Sequence, residues 1–323
     1  MELAKSEHIV PWNPGHTEGC VALALKNAEA IHAGYREALG EAIYDAAFFG
    51  WQDGVVSTVR SQTQEARGFV LLGEGSVKGC CAYRQSGAVA SISCCEGASA
   101  EALEQLLKYL LEDMKTQGVT HCAVNCDTDP VNGVLKAALQ AVGFEKNVPH
   151  VRYYQTLKER PVLPETRLQI VPAREEHIEE CVNIALKLWT IIHESYISCI
   201  GDEIHDITHA GWQDAHRVNI AAQQRREGSL VALLDGKVVG FCGCRVENGT
   251  LGVIGYNGVD PEYRGRGIAR YLYEAAFDQF RSRGIQYARV FTGGDSGHGP
   301  ARRAYEKAGY DKKLLNTTYY RIL

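Results

Sequence analysis

"YRGRGIARYLYEAA" (263–276) sets two glycines and two arginines directly before an apolar pattern of helical spacing. Ile268, Leu272, Ala275 or Ala276, and Phe280 recur every three to four residues, with Arg281 and Arg283 in the last turn and Gly284 where a C-cap belongs. Upstream, "TLGVIGYNGV" (250–259) reads as a strand that ends at Asp260-Pro261. The stretch is therefore predicted to be a strand, a sharp turn and a helix start. Gly265 and Gly267 leave no side chain between an approaching anion and consecutive N–H groups at a helix N-terminus, where partial positive charge also collects. With Arg264 and Arg266 alongside, a diphosphate suits the seat. A solvated glycine loop has the same letters; the strand before and the helix after are what favour the anion site.

A second observation comes from comparing the chain with itself. "GVLKAALQAVGFEKNVPHVRYYQTL" (133–157) aligns without a gap on "GPARRAYEKAGYDKKLLNTTYYRIL" (299–323). Gly133, Ala138, Gly143, Lys146, Tyr153, Tyr154 and Leu157 each meet an identical residue 166 positions later, and so do Gly118 and Val124. Two long copies mean duplicated domains rather than a solenoid. "KERPVLPETR" (158–167), with two prolines and five charged residues, is the expected linker. The second half reads as a helix over about 174–195, an irregular segment rich in His and Asp, a further helix to about 226, three strands, and then helices and strands in alternation. That order predicts a mixed α/β sheet.

At 323 residues the length suits two domains, and 34 basic against 39 acidic residues give a net charge of −5. No chain-wide basic field exists to recruit nucleic acid or a membrane surface. No secretory leader or long apolar run is evident, so a cytoplasmic protein is expected. The eleven cysteines lie mostly in apolar strand-like stretches and are expected to be reduced and buried, with no metal site. "HDITH" (205–209) places two histidines at i and i+4 but supplies no third ligand.

"DPEYRGRGIARYLYEAA" (260–276), followed at a matching distance by "ARRAYEKAGY" (301–310), resembles the Gcn5-related N-acetyltransferase (GNAT) family. The family's acetyl-CoA signature runs Arg or Gln, two residues, Gly, one residue, then Gly or Ala; Arg264, Gly267 and Ala269 fit it. The resemblance covers 166–323. It implies an α/β chain of two tandem GNAT-like domains, each a mixed, mostly antiparallel sheet flanked by helices. Residues 166–323 would be the catalytic domain, and 1–160 a degenerate one that forms a support or a substrate wall. Acetyl-CoA would be the co-substrate, held by Val259, Arg264, Gly265, Arg266, Gly267, Ile268 and Ala269. Backbone N–H groups of 264–269 would meet the pyrophosphate, and those near Tyr256–Val259 the acetyl carbonyl.

Acyl transfer from a thioester to an amine needs a neutral amine, a polarised carbonyl and a proton for the leaving thiolate. Tyr305 stands where the family commonly keeps the tyrosine that protonates the sulfur, and a phenol of ordinary pKa ~10 carries that proton at neutral pH. Leu139 occupies its place in the first copy, and "ASAEAL" (98–103) stands there in place of the glycines and arginines. Two departures accompany the resemblance. "GGDSGHGPA" (293–301) lacks the family's pantetheine-contacting asparagine, for which His298 is the expected substitute, a helix-capping role being the alternative. "TLGVIGYNGV" also lacks the strand glutamate that serves many members as base, so Glu194 in "IIHESY" is the expected catalytic base. Asp202, Glu203, Asp206 and Asp214 would make the acceptor mouth acidic and favour a cationic amine. The acceptor is expected to be a small-molecule or peptide amine, with neither nucleic acid nor membrane as partner, and the oligomeric state is left open. Two other readings keep the fold: a non-catalytic acyl-CoA sensor, and an acyltransferase with a longer acyl group or a peptide or protein amine.

Overall fold

Alternation of apolar residues at period two or at helical spacing along the chain produces twelve strands and ten α-helices among the described residues. The computed structural model describes residues 7–65, 67–94, 100–127, 133–159 and 161–323. In chain order the elements are β1 (Glu7–Pro11), α1 (Thr17–Leu39), α2 (Glu41–Ala47), α3 (Trp51–Glu65), β2 (Arg67–Gly73), β3 (Ser76–Tyr83), β4 (Val89–Cys94), α4 (Ala100–Thr116), β5 (His121–Asp127), α5 (Gly133–Ala141) and β6 (Lys146–Thr156). They continue as β7 (Gln169–Pro172), α6 (Glu175–Ile200), α7 (Asp202–Thr208), α8 (Trp212–Gln224), β8 (Leu230–Leu234), β9 (Lys237–Glu247), β10 (Leu251–Val259), α9 (Ile268–Ser282), β11 (Tyr287–Gly293), α10 (Gly299–Lys307) and β12 (Lys312–Ile322). The segment around "HDITH", expected to be irregular, is the helix α7: Ile204 and His205 are buried on one side of it, which makes about two amphipathic turns.

The duplication is visible element by element. β5, α5 and β6 begin at 121, 133 and 146, and β11, α10 and β12 begin 166 residues later at 287, 299 and 312. Gly118 and Gly284 have φ of +74° and +75°, a left-handed conformation that costs other residues energy. Each closes its helix in the same way, for Val119 N donates to Met114 O and Ile285 N to Phe280 O, both at 3.0 Å. The shared backbone therefore explains this identity.

Two compact units emerge: residues 1–37, 50–149 and 315–323 in the first, and residues 38–49 and 150–314 in the second. The sequence copies and the compact units differ in where their last strands belong. In the first unit β1-β2-β3-β4 form an antiparallel sheet, and β12 pairs antiparallel with β5 from Asn316↔Asp127 to Ile322↔His121. In the second unit β6 pairs antiparallel with β11 from Tyr287↔Thr156 to Gly293↔His150, and the order runs β6-β11-β10-β9-β8-β7. Tyr153 and its repeat partner Tyr319 show the consequence in the cores. Tyr153 packs with Tyr305, Tyr310 and the α9 residues Leu272, Phe277 and Phe280, whereas Tyr319 packs with Leu106, Leu139 and Phe144.

The expected linker 158–167 has no helix or strand among its described residues; residue 160, like residues 98 and 99 at the start of "ASAEAL", lies outside them. Pro164 O accepts from Tyr271 Oη at 3.0 Å and Lys158 O from Arg281 Nη1 at 2.8 Å, so the linker lies along α9. No helix of the described residues is long and apolar enough to cross a membrane. The described cysteines are unbridged, and burial pushes the thiols of Cys81 and Cys122 upward, the latter to about 12.

Removing residues 315–323 strips β5 of its partner. We expect hydrogen exchange at 121–127 to lose protection in the truncated chain while 230–259 keeps it; unchanged protection at 121–127 would contradict the assignment of β12 to the first unit.

Candidate active site

The site begins with a backbone defect. β10 pairs parallel with β11 only from Leu251↔Tyr287 to Ile254↔Val290, and antiparallel with β9 with a register shift between Ile254 and Asn257. Beyond Ile254, β10 stays with β9 and β11 stays with β6, so the two part. Gln223 of α8 fixes the bulge. Its amide donates to Tyr256 O at 2.9 Å and accepts from Tyr256 N at 2.8 Å, and a Cβ at Gly243 or Gly255 would lie within about 2 Å of its carboxamide. Tyr256 N–H is consequently spent on Gln223. This narrows the expected carbonyl donors to the strand beyond it.

A cavity of about 1350 Å³ opens between the parted strands. Single drug-sized ligands occupy about 300–1,000 Å³, so the space admits two substrates side by side. Val259, Arg264, Gly265, Gly267, Ile268, Ala269, His298 and Tyr305 all line it. Glu194 and Arg266 do not: Glu194 is exposed on α6, and the Arg266 guanidinium lies 5.1 Å from the Tyr263 ring centroid. Asp202, Glu203, Asp206 and Asp214 are likewise exposed and absent from the wall, so the expected acidic mouth is not formed.

The turn before α9 is pinned from behind. Asp260 is buried, accepts from Glu262 N at 3.0 Å and meets Lys187 Nζ at 3.0 Å. Burial pushes its carboxyl up, but these bonds and the lysine charge outweigh it and hold the pKa below the ordinary value. Gly265 and Gly267 then adopt φ of +77° and +76°. A Cβ at Gly265 would meet nothing within 4 Å, and one at Gly267 only Tyr271 at 3.9 Å, so open space faces both. No side chain caps α9 at Gly267, leaving its first N–H groups to a ligand or to water. These residues fit a diphosphate.

Tyr305 is buried on α10, and burial raises its phenol to about 12, above the ordinary value expected from sequence. Asn257 of β10, which sequence reading passed over, organises it. The Asn257 amide donates to Gly255 O at 2.8 Å and to Tyr305 Oη at 3.0 Å, while its oxygen accepts from Tyr273 Oη at 2.7 Å. The same oxygen accepts from Tyr305 Oη at 3.2 Å through its second lone pair. Tyr305, Asn257 and Tyr273 thus form one hydrogen-bonded group on the cavity wall.

His298 is buried at the N-cap of α10, its Nδ1 2.6 Å from Asp295 Oδ2. Asp295 also accepts from Ser195 Oγ at 2.8 Å. Burial raises the Asp295 carboxyl, yet the bonds from His298 and Ser195 win and keep it below the usual range. An ionised Asp295 places the imidazole proton on Nδ1 and leaves Nε2 as an acceptor. Trp189 and Tyr196, both on the cavity wall, stand 5.9 Å from the His298 ring.

Behind them lies an imidazole cluster that the "HDITH" pattern foreshadowed only as a metal question. His193 Nδ1 lies 2.8 Å from His205 Nε2, His193 stacks on Trp212 at 4.0 Å, and His205 stacks on His209 at 5.1 Å. Burial first, then the neighbouring imidazoles, depress His193 to about 3 and His209 to about 4.

Residues 188–310 match the sequence model of the Acetyltransferase (GNAT) family. A stretch of 92 residues, 28% of this chain, is 29% identical to the mycothiol acetyltransferase of Thermomonospora curvata, of whose length it spans 30%. The GCN5-related N-acetyltransferase from Sphaerobacter thermophilus has a TM-score of 0.59 at 17% identity, over 99% of this chain and 97% of that one. A tandem GNAT protein from the clavulanic acid biosynthesis pathway has 0.51 at 13% identity, over 98% of both chains. At such identities the likeness establishes the fold. Residues 188–310 thus match the GNAT acetyltransferase family model, and the chain has the fold of tandem GNAT proteins.

Two outcomes follow from this geometry. Gln223→Ala leaves the Tyr256 amide unsatisfied at a cost of about 2 kcal/mol, and thermal unfolding should show a lowered melting temperature; an unchanged one contradicts the role given to Gln223. Because the folded state keeps His193 and His209 neutral, the unfolded chain takes up protons first as pH falls below about 6.5. Their contribution to stability is complete above that pH and should be lost progressively toward pH 4 and below. Melting temperatures that stay flat from pH 7 to 4 would contradict neutral burial.

Proposed function

We propose that residues 166–323 act as an N-acetyltransferase, moving an acetyl group from acetyl-CoA to a primary amine by direct attack, and that 1–160 is a degenerate copy. The observation that carries this reading is the uncapped, glycine-lined start of α9 opening into the same cavity as the Tyr305 phenol. The buried Leu139 at the repeat position of Tyr305 supports the asymmetry between the copies.

Backbone N–H groups of 264–269 would hold the diphosphate, with Arg264 adding charge. Acetyl-CoA would supply the activated thioester. Strand residues Asn257–Val259 would present polarising N–H groups to the carbonyl. His298 is the residue best placed to accept the amine proton at Nε2, with Asp295 steadying the imidazolium; Glu194, away from the cavity, is set aside. Tyr305 keeps its proton at neutral pH. At about 12 it is a weaker acid than a thiol of ordinary pKa ~8.5. Its natural contribution is a hydrogen bond to developing negative charge rather than complete proton release. Since direct attack forms no covalent enzyme intermediate, much of the rate would come from positioning two substrates in one cleft.

Free-thiol release from acetyl-CoA across an amine library tests the reading. Tyr305→Phe should keep acetyl-CoA affinity and lower kcat by about a hundredfold. Gly267→Val, forced to positive φ, should weaken acetyl-CoA binding by tenfold or more. Binding of acetyl-CoA without turnover of any amine would favour the sensor reading instead.

A further inference from the structure

Seven cationic side chains line the cavity, and no Asp or Glu does so among the described residues. They fall into two groups. Arg264, Arg270, Arg303 and Lys307 belong to the turn before α9, to α9 itself and to α10. The diphosphate seat accounts for cations there. Arg245, Arg289 and Arg152 rise instead from β9, β11 and β6.

These three share a sheet face. Arg245 and Arg289 are both register partners of Val253, and Arg152 is the partner of Phe291, two residues along from Arg289. Side chains directly opposite across strands lie on one face. Cys244, Ile254, Val290 and Tyr153, their alternating neighbours, pack in the core with α9. The guanidinium face is therefore the one turned away from α9, the face on which Gln223 of α8 covers Gly243.

One carboxylate, that of Glu247, bonds two of them. Its carboxylate takes Arg245 Nη2 at 2.7 Å and Arg289 Nη2 at 2.8 Å. Glu247 does not line the cavity, so it holds the two forks in place from the side while they remain part of the wall. Arg289 is only 21% exposed, and the single Glu247 carboxylate it meets is shared with Arg245, so the two guanidiniums together keep one net positive charge that an anion would offset.

We propose that the acceptor is an amine that carries its own anionic group, a carboxylate or a phosphate, which docks on Arg245 and Arg289 with Arg152 beside them. This inference rests on the acetyltransferase reading for the word acceptor, but its chemistry is that of a bidentate anion site. It reverses the cationic preference that the acidic residues of α7 and α8 suggested from sequence.

Calorimetric titration of the full chain saturated with CoA tests it without turnover. The probes are two matched pairs: phenylalanine against phenylalaninamide, and phosphoethanolamine against ethanolamine. The anionic member of at least one pair should bind tenfold or more tightly, and the pair that shows the preference identifies carboxylate or phosphate. Arg245→Gln should cut the preference to about threefold or less, with Arg152→Gln as a second variant should the first fail to fold. Both should retain CoA affinity. Equal or tighter binding of the neutral member in both pairs would overturn the proposal, as would a preference that survives both substitutions. Selective anion binding with no acetyl transfer to any amine would instead overturn the acetyltransferase reading and leave the anion site standing.

Discussion

The carboxamide of Gln223, bonded on both sides to the Tyr256 backbone, is the interaction on which the site depends. A regular β10 would pair with β11 along its whole length and leave no opening. Filling the bulge with a side chain from α8 satisfies backbone groups that would otherwise be stranded, and makes the divergence of the two strands a ground-state feature. Asn257, one residue beyond Tyr256, then reaches Tyr305, and the Gly265–Gly267 turn follows at the strand's end. The opening of the cavity, the placing of Tyr305 and the approach to the glycine turn all derive from one displaced residue pair.

Around that defect, polar side chains act mainly by fixing one another. Asp260 and Lys187 pin the turn, Asp295 and Ser195 orient His298, and Tyr273 satisfies the oxygen of Asn257. Each acceptor is buried or half-buried, where an unmade hydrogen bond would be costly. The arrangement is rigid before any substrate arrives, which is what catalysis by positioning requires.

Much of this was legible in the chain itself. The period of Ile268, Leu272, Ala276 and Phe280 announced α9, and the repeat at 166 residues announced the second copy of every element from β5 to β6. The glycines of 265 and 267 announced a turn open to an approaching anion, though not its positive φ. Other features were not legible because they depend on contacts between distant residues. Nothing local marks Gln223 as the side chain that fills a bulge 33 residues later. Glu194 looked suitable beside its neighbours in "IIHESY", but helix phase turns it to solvent while Tyr196 faces the cavity. Local letters also could not say that Tyr153 packs against Tyr305 while Tyr319 joins the other core, because both strands carry the same Tyr-Tyr pair. Arg245, Arg289 and Arg152 lie in three separate strands, and only register makes them neighbours.

The central claim is that the second unit, through the turn at 264–269, holds the co-substrate in a cleft it shares with Tyr305. A crystal structure of the chain with CoA tests it most directly. The pyrophosphate is expected within hydrogen-bonding distance of the backbone nitrogens of 264–269, and the sulfur beside Tyr305 Oη. CoA bound in the first unit, or in the second with its pyrophosphate away from Gly265 and Gly267, would contradict it.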